Sequence, residues 1–441
     1  MEVRNVKGTK DIFGNESRYY QYVENLMKGI AELFGYDEMR PPVLEHSEVF
    51  VRGVGEASDV VRKEMYTFDD KGGRSLTLRP EFTAGIMRLI VQNKLYAEDL
   101  PIKAYYTGNV FRYERPQLGR YRQFEQFGVE NVGSNSYLSD VEVIALAFTI
   151  LQTLGFEDIK VKINTLGDEE SRNAYREALK EYFKGHIENM CEDCHERFVI
   201  NPLRILDCKV PSDQEIVKDA PRMLDYISIP AKQRFDDVLA ELESLGIPFE
   251  VDDTLVRGLD YYSETVFEFH YVSKKGVDYG AIGAGGHYDK LVSEMGGPAL
   301  AGVGFSFGVE RIISVLLDNE LLEEINGDVL IDVLPMSEEA KALGLEIAVN
   351  LRCSGYRTEI NLEGGKIGNQ IKKALRKGAQ IAIILGDDEI QNGTVVIKNL
   401  KESTQEVIDV DQLVDYIDHF FGEEDGECEC GCGCGHHHEH E

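Results

Sequence analysis

Arginines and tyrosines meet at two places in this chain with spacings that suit phosphate and carboxylate chemistry. The first is Arg257-Gly-Leu-Asp-Tyr261-Tyr262, which leads into an alternating strand over 265–272. A guanidinium and two adjacent phenols at one strand edge supply a planar cation and two hydroxyl donors, a set that fits a small zwitterion together with a phosphate. Glycines at 280, 283, 285 and 286 clear side chains from the stretch beyond it, so that a flat ligand can lie on backbone. A Gly-rich run alone is a weak signal. The second place is 108–130, where Arg112, Arg115, Arg120 and Arg122 flank a turn at 116–119 between two strand-like segments. Four guanidiniums around one hairpin repel each other, so they either pair with Glu114, Glu125 and Glu130 as a solvated ladder or face a polyanion. Arg rather than Lys favours the polyanion, because the guanidinium fork matches phosphate bidentately.

These segments resemble the signature blocks of class II aminoacyl-tRNA synthetases, and of the histidyl-tRNA synthetase family in particular. Residues 108–130 resemble motif 2, 35–45 motif 1, 302–311 motif 3 and 77–85 the amino-acid-binding loop, while the Arg257 run with Ala284-Gly-Gly-His-Tyr-Asp289 resembles the histidine pocket. The resemblance runs from Gly8 to about Phe421. It implies ATP-dependent attachment of L-histidine to histidine tRNA through histidyl-adenylate, with Mg²⁺, by a homodimer joined through motif 1. Carried over residue by residue, Arg112 and Arg257 are the catalytic cations that bracket the α-phosphate and the carboxylate. Arg120 and Arg311 hold the outer phosphates or the adenine end, and Glu114 belongs to the same ATP site. Glu130 and Tyr262 face the imidazole; Glu81, Thr83 and Gln126 hold the α-amino group beside Phe82; Tyr261 and Tyr288 close the pocket. Gln117 in the motif 2 loop faces the acceptor end of the tRNA, where the family reads an extra 5′ guanosine. Two positions depart from the common pattern, Glu125 where histidine is usual and His287 where arginine is usual. They put the neighbouring contacts and the charge of the pocket rim in question.

The elements that must position these residues follow from periodicity. Val23, Leu26, Ile30 and Leu33 recur at helical spacing after a possible Asn15 cap, and Gly35 is a stop. Alternating segments at 75–78, 110–113, 124–129 and 265–272, interrupted by helices, predict an antiparallel sheet in an α+β catalytic domain over 1–326. Residues 168–226 are charged and helical with few strand signals, which marks an insertion. The family carries a helical insertion there, near the tRNA acceptor arm. After 327 the pattern becomes strand 329–334, helix 338–352, strand 356–362, helix 366–376 and strand 381–385, a βαβαβ unit with a parallel sheet. No G-x-G-x-x-G opens its first helix, which removes a dinucleotide-binding reading. The unit, completed by a strand at 394–398 and a helix at 410–420, resembles the α/β anticodon-binding domain of the synthetases for histidine, proline, threonine and glycine and spans 327–421. Lys372, Lys373 and Arg376 are its candidate tRNA-facing cations, against an ordinary solvated helix face.

Composition agrees with a large enzyme, with one exception. The 441 residues, 43% of them hydrophobic, suffice for two or three cored domains, but the net charge of −32 has the wrong sign for binding a nucleic acid. Seven of the acids lie in 422–441, and net charge governs long-range steering rather than local patches, so a local basic face is required. No apolar run reaches a membrane span and the start Met-Glu-Val-Arg-Asn has no signal-peptide core, which predicts a cytoplasmic protein. Cys191-Glu-Asp-Cys194-His195 with Cys208 offers three thiols and an imidazole for a structural Zn²⁺. Adjacent Cys194 and His195 fit one tetrahedral ion poorly, which favours reduced cysteines. The tail carries Cys428, Cys430, Cys432, Cys434, His436 and His438 on a Gly-rich backbone that cannot form a core. It is expected to be disordered without metal, and it is either a site for Zn²⁺, Ni²⁺ or Cu⁺ or a passive extension. A rival reading is the non-catalytic paralogue that regulates ATP phosphoribosyltransferase. Such paralogues lack the C-terminal domain, whereas this chain keeps the domain and the motif 2 arginines.

Overall fold

The computed structural model describes residues 3–55, 58–115, 119–322 and 331–422. The chain divides into two compact units, Met1–Ile325 and Asn326–Glu441.

The first helix, Asn15–Leu33, buries Tyr20, Val23, Met27, Ile30 and Ala31, a stripe at the spacing of a core-facing helix. Two expectations need correcting. Leu33 is 85% exposed because it lies one step off that stripe. Asn15 is the first helical residue, and the cap is Gly14, whose φ of 63° suits glycine. Gly35 ends the helix with φ 79°, and the Tyr36 N–H returns to the Ala31 carbonyl (3.0 Å).

Eight strands form the main sheet of this unit, in the order 37–38, 102–111, 123–132, 302–308, 278–288, 263–272, 160–165 and 249–251. The six central strands pair antiparallel, while each edge adds a parallel pair, so the sheet is mixed rather than wholly antiparallel. Ser75–Leu78 lies instead in a separate three-stranded sheet with Leu44–His46 and Tyr66–Asp69. Alternation identifies a strand but not its partner, which long-range pairing decides.

Side chains alternate between the faces of the main sheet. Phe127, Val129, Phe267, Phe269, Phe305 and Phe307 face one large core, packed with residues of helices Asn15–Leu33, Tyr137–Thr153 and Val309–Asp318. Their odd-even partners, Glu130, Gly304, Val266 and Glu268, face the other way, where helix Thr83–Asn93 and the rings of Tyr106, Tyr261, Tyr262 and Tyr288 form a second cluster. Between Lys160–Thr165 and Phe249–Val251 the chain makes helices Glu169–Lys184, Glu192–Ile200 and Pro211–Val217, joined by 3₁₀ turns, and then helix Ile229–Ser244.

The second unit is a five-stranded sheet in the order 358–360, 331–335, 381–385, 394–399 and 405–409, the first three parallel and the last two added antiparallel. Helix Asp387–Asn392 and the edge strand Gln405–Asp409 had no clear sequence signal, the first because it is short and the second because its residues are mostly exposed.

Candidate active site

The polar face of the main sheet is hollowed into a cavity of about 810 Å³. Glu130 stands in mid-strand, in register with Gly304 on the neighbouring strand. A Cβ at 304 would overlap the Glu130 carboxylate and the Val129 carbonyl, so the glycine provides the room the carboxylate occupies. Glu130 accepts hydrogen bonds from the hydroxyls of Thr83 (2.6 Å), Tyr288 (2.8 Å) and Tyr106 (3.2 Å). Burial pushes its carboxyl up to about 8. A carboxylate has about four acceptor positions, so one remains for a ligand.

Glu81 accepts from the backbone N–H groups of Thr83 (2.7 Å) and Ala84 (2.9 Å) at the start of helix Thr83–Asn93. Burial raises its pKa while those two donors, at the positive end of the helix, oppose the rise. The ring of Tyr261 lies 4.5 Å from that of Tyr262 and 5.7 Å, edge-on, from that of Tyr288. A Cβ on Gly286 would come within 2.8 Å of the Tyr262 ring, so small residues here let the ring sit against the strand.

Arg257 is ion-paired with Glu268, and its guanidinium lies 5.5 Å from the Tyr262 ring centre. Its buried Nε has no hydrogen-bond partner among the described residues. Glu268 is also 2.9 Å from His270 Nε2. Arg112 donates from Nε to the Pro80 carbonyl (2.8 Å), and Glu114 lies 4.0 Å from it and 3.6 Å from Arg120. Arg311 donates to the Ala281 carbonyl. Its pKa is lowered by burial and by the charge of Arg120, a strain that a bound polyanion would relieve. The cavity therefore gathers carboxylates and phenols around Glu130 together with the cations Arg112, Arg120, Arg257 and Arg311, which suits a ligand that carries an ammonium or imidazole as well as phosphates.

The family described as histidyl-tRNA synthetase matches residues 8–312, and an anticodon-binding domain family matches 329–419. The chain belongs to the histidyl-tRNA synthetase family. It is similar to the histidine–tRNA ligase of Bacillus licheniformis, with 45% identity over 93% of this chain and 97% of that one. Its fold matches the apo histidyl-tRNA synthetase of S. aureus with a TM-score of 0.81 and 34% identity, covering 94% of this chain and 99% of that one. A Bacillus halodurans structure described as an ATP phosphoribosyltransferase regulatory subunit/histidyl-tRNA synthetase shares the fold, with a TM-score of 0.62 and 24% identity over 88% and 99% of the chains.

In this synthetase one cavity brings together Glu81, Phe82, Thr83, Gln126, Glu130, Tyr261, Tyr262 and Tyr288 with Arg112, Glu114, Arg120, Arg257 and Arg311. Lys372, Lys373 and Arg376 lie in the second unit, exposed on helix Ile367–Arg376. Gln117 lies outside the described residues, as do Cys428, Cys430, Cys432, Cys434, His436 and His438. Sequence reasoning missed Tyr106, Gly304, Glu268 and Glu310. Glu268 was detectable as a polar position on the predicted strand 265–272, whereas Tyr106 sits in an apolar run that reads as core.

The two departures from the family pattern have different surroundings. The carboxyl of Glu125 is raised to about 7 by burial and by Glu24 and Glu310, and its backbone N–H donates to Glu310 (2.9 Å). His287 is buried, with Nδ1 2.8 Å from Asp140, Nε2 3.2 Å from Asp289, and Arg234 3.3 Å away. Burial lowers its pKa, but Asp140 and Asp289 outweigh burial and raise it to about 9. The folded state thus holds a proton that the unfolded chain releases near 6.5. The resulting stabilisation is complete below 6.5 and is lost as pH climbs through about 9, and its ceiling is about 3 kcal/mol. His287→Gln should therefore destabilise the synthetase in denaturant titrations at pH 6 and much less at pH 10; an equal loss at both would refute a charged His287.

Proposed function

We propose that this chain charges histidine tRNA in two steps on the cavity of its first unit, with the residue roles below. The histidine carboxylate attacks the α-phosphorus of ATP, the bond to pyrophosphate breaks, and histidyl-adenylate forms. The terminal ribose 3′-hydroxyl of the tRNA then attacks the acyl carbon and AMP leaves. Negative charge develops at both steps, so positioned cations supply most of the catalysis and no protein nucleophile is needed. The observation that carries this reading is a single cavity lined both by Glu130 with its hydroxyl donors and by Arg112, Arg120 and Arg311.

Arg257 and Arg112 bracket the carboxylate and the α-phosphate. Glu130 and Tyr262 engage the imidazole, with the free acceptor position of Glu130 taking an N–H. Glu81, Thr83 and Gln126 hold the α-amino group, and Tyr261 and Tyr288 close over the ligand. Arg120 and Arg311 take the outer phosphates or the adenine end. The family uses ATP with Mg²⁺. Glu114 and Glu310 line the cavity, and their carboxylate oxygens are the donor type a hard divalent cation takes. Bound Mg²⁺ supplies charge neutralisation on the phosphates.

The exposed Lys372, Lys373 and Arg376 support tRNA contact by the second unit. Domain limits of 1–326, with the insertion at 168–226, and 327–421 match this division of labour. Val43 and Leu44, exposed apolar residues in the segment that resembles motif 1, support a homodimer joined there. Among the described residues no helix is long and apolar enough to cross a membrane, and a cytoplasmic location accords with the reaction.

The direct test is pyrophosphate exchange into ATP with each of the twenty amino acids offered singly. Exchange with histidine alone is expected. Exchange with a different amino acid would reassign the pocket, and no exchange at all would favour the regulatory paralogue.

A further inference from the structure

Three cysteines of the helical insertion, Cys191, Cys194 and Cys208, converge with Asp213, their ligand atoms all within 4.8 Å of one another. The Sγ atoms of Cys191 and Cys208 are 3.8 Å apart, and Cys208 Sγ is 3.3 Å from Asp213 Oδ2. A disulfide requires about 2.05 Å between sulfurs. A tetrahedral ion with Zn–S bonds of about 2.3 Å requires a sulfur–sulfur edge of about 3.8 Å, which is the Cys191–Cys208 spacing. We propose that Cys191, Cys194, Cys208 and Asp213 bind one structural Zn²⁺.

Local structure prepares the site. Cys191 precedes helix Glu192–Ile200 and Cys194 lies in its first turn, a C-x₂-C arrangement. Cys208 follows the 3₁₀ turn Pro202–Asp207, and Asp213 belongs to helix Pro211–Val217. Asp213 Oδ2 accepts the Cys191 backbone N–H (3.0 Å), which orients the carboxylate. Cys194, Cys208 and Asp213 are buried, whereas His195 is exposed. Adjacent helical residues point about 100° apart, so the imidazole that the sequence offered at His195 cannot join Cys194 on one ion, and Asp213 completes the set instead. Binding displaces the thiol protons to solvent. Arg197, ion-paired with Asp59 (3.1 Å), stands near Cys194 and Cys208 and would offset part of the negative charge of their thiolates.

The ion would brace the cavity. Asp207 and Lys209, on either side of Cys208, line it. The turn that ends at Cys208 carries Arg204, which donates to the Gly258 carbonyl (2.9 Å), and the preceding Asn201 donates to Asp260 (2.9 Å). The site therefore ties the insertion to the loop that bears Arg257, Tyr261 and Tyr262.

The test uses the full chain with Cys428, Cys430, Cys432 and Cys434 changed to Ser and His436, His437, His438 and His440 to Ala, purified without metal-affinity resin, so that the tail cannot supply ligands. Elemental analysis should find about one zinc per chain, falling roughly tenfold or more in Cys194→Ser and Cys208→Ser and unchanged in His195→Ala. Cobalt substitution should give the thiolate charge-transfer and intense d–d bands of a tetrahedral site, shifted but kept in Asp213→Cys. Chelation should lower the thermal midpoint of the otherwise unaltered insertion, a readout that does not depend on a cysteine variant folding. Absence of metal after zinc reconstitution under reducing conditions, zinc that survives Cys194→Ser, or a Cys191–Cys208 disulfide in the reduced-buffer protein would each overturn the proposal. None of these outcomes depends on aminoacylation.

Discussion

Arg257→Ala should lower histidine-dependent pyrophosphate exchange by about 10³-fold, on the scale of losing a preorganised donor at a developing charge. Arg257 is half-buried and ion-paired with Glu268, so truncation also leaves that carboxylate with His270 as its remaining partner. Burial disfavours the guanidinium charge, but Tyr262 and Glu268 more than compensate. The cation is therefore in place before any substrate arrives, which is the condition for it to act on the transition state rather than on ground-state binding. Arg257→Lys keeps the charge and loses the planar fork, so most of the loss should remain. Steady-state exchange assays beside a thermal-melt control separate this from misfolding. A loss under tenfold in a folded variant would remove Arg257 from the chemistry.

Glu130→Gln should raise the KM for histidine by about 10²-fold, because sites that pair a ligand's polar groups discriminate strongly when the pairing is broken. The fold should tolerate the change. With its carboxyl raised to about 8 by burial, Glu130 is largely protonated in the ligand-free pocket at pH 7, and glutamine has nearly the shape of that form. Thr83 and Tyr106 donate to one oxygen and keep it as the amide oxygen, whereas Tyr288 donates to the other, so its hydroxyl must turn to accept from an N–H₂ that now stands where a ligand N–H must be received. If the ionised carboxylate is the binding form, histidine affinity in the unaltered chain rises as pH climbs toward 8. The substitution should flatten that slope. Unchanged KM and unchanged pH profile in the variant would place the imidazole elsewhere.

Much of the site was legible in the chain. Residue types that serve phosphate and zwitterion binding stand out even without a partner, because arginine clusters and paired tyrosines are costly to place for structure alone. Period-two alternation located the hairpin around the motif 2 arginines and the strand after Arg257, both of which belong to the sheet. The anticodon-type unit was visible through its alternation of apolar strands with amphipathic helices. Less legible were elements whose existence depends on a partner. Strand Asp37–Glu38 is two residues long and exists because Ile102–Phe111 lies beside it. Strand Ser75–Leu78 alternates like its counterparts yet joins another sheet.

By itself the sequence determined the class of chemistry, the two kinds of unit and the identity of most cavity residues, since these follow from side-chain chemistry and local periodicity. Tertiary structure alone decided which of those groups meet. Gly304 became the space for Glu130 only when two strands more than 170 residues apart came into register. Asp213 replaced His195 beside the three thiols because helix geometry turns neighbouring side chains apart and a later helix delivers the carboxylate. Register and helix phase are set by long-range burial, and a single sequence records the residues that satisfy them without recording which ones are paired.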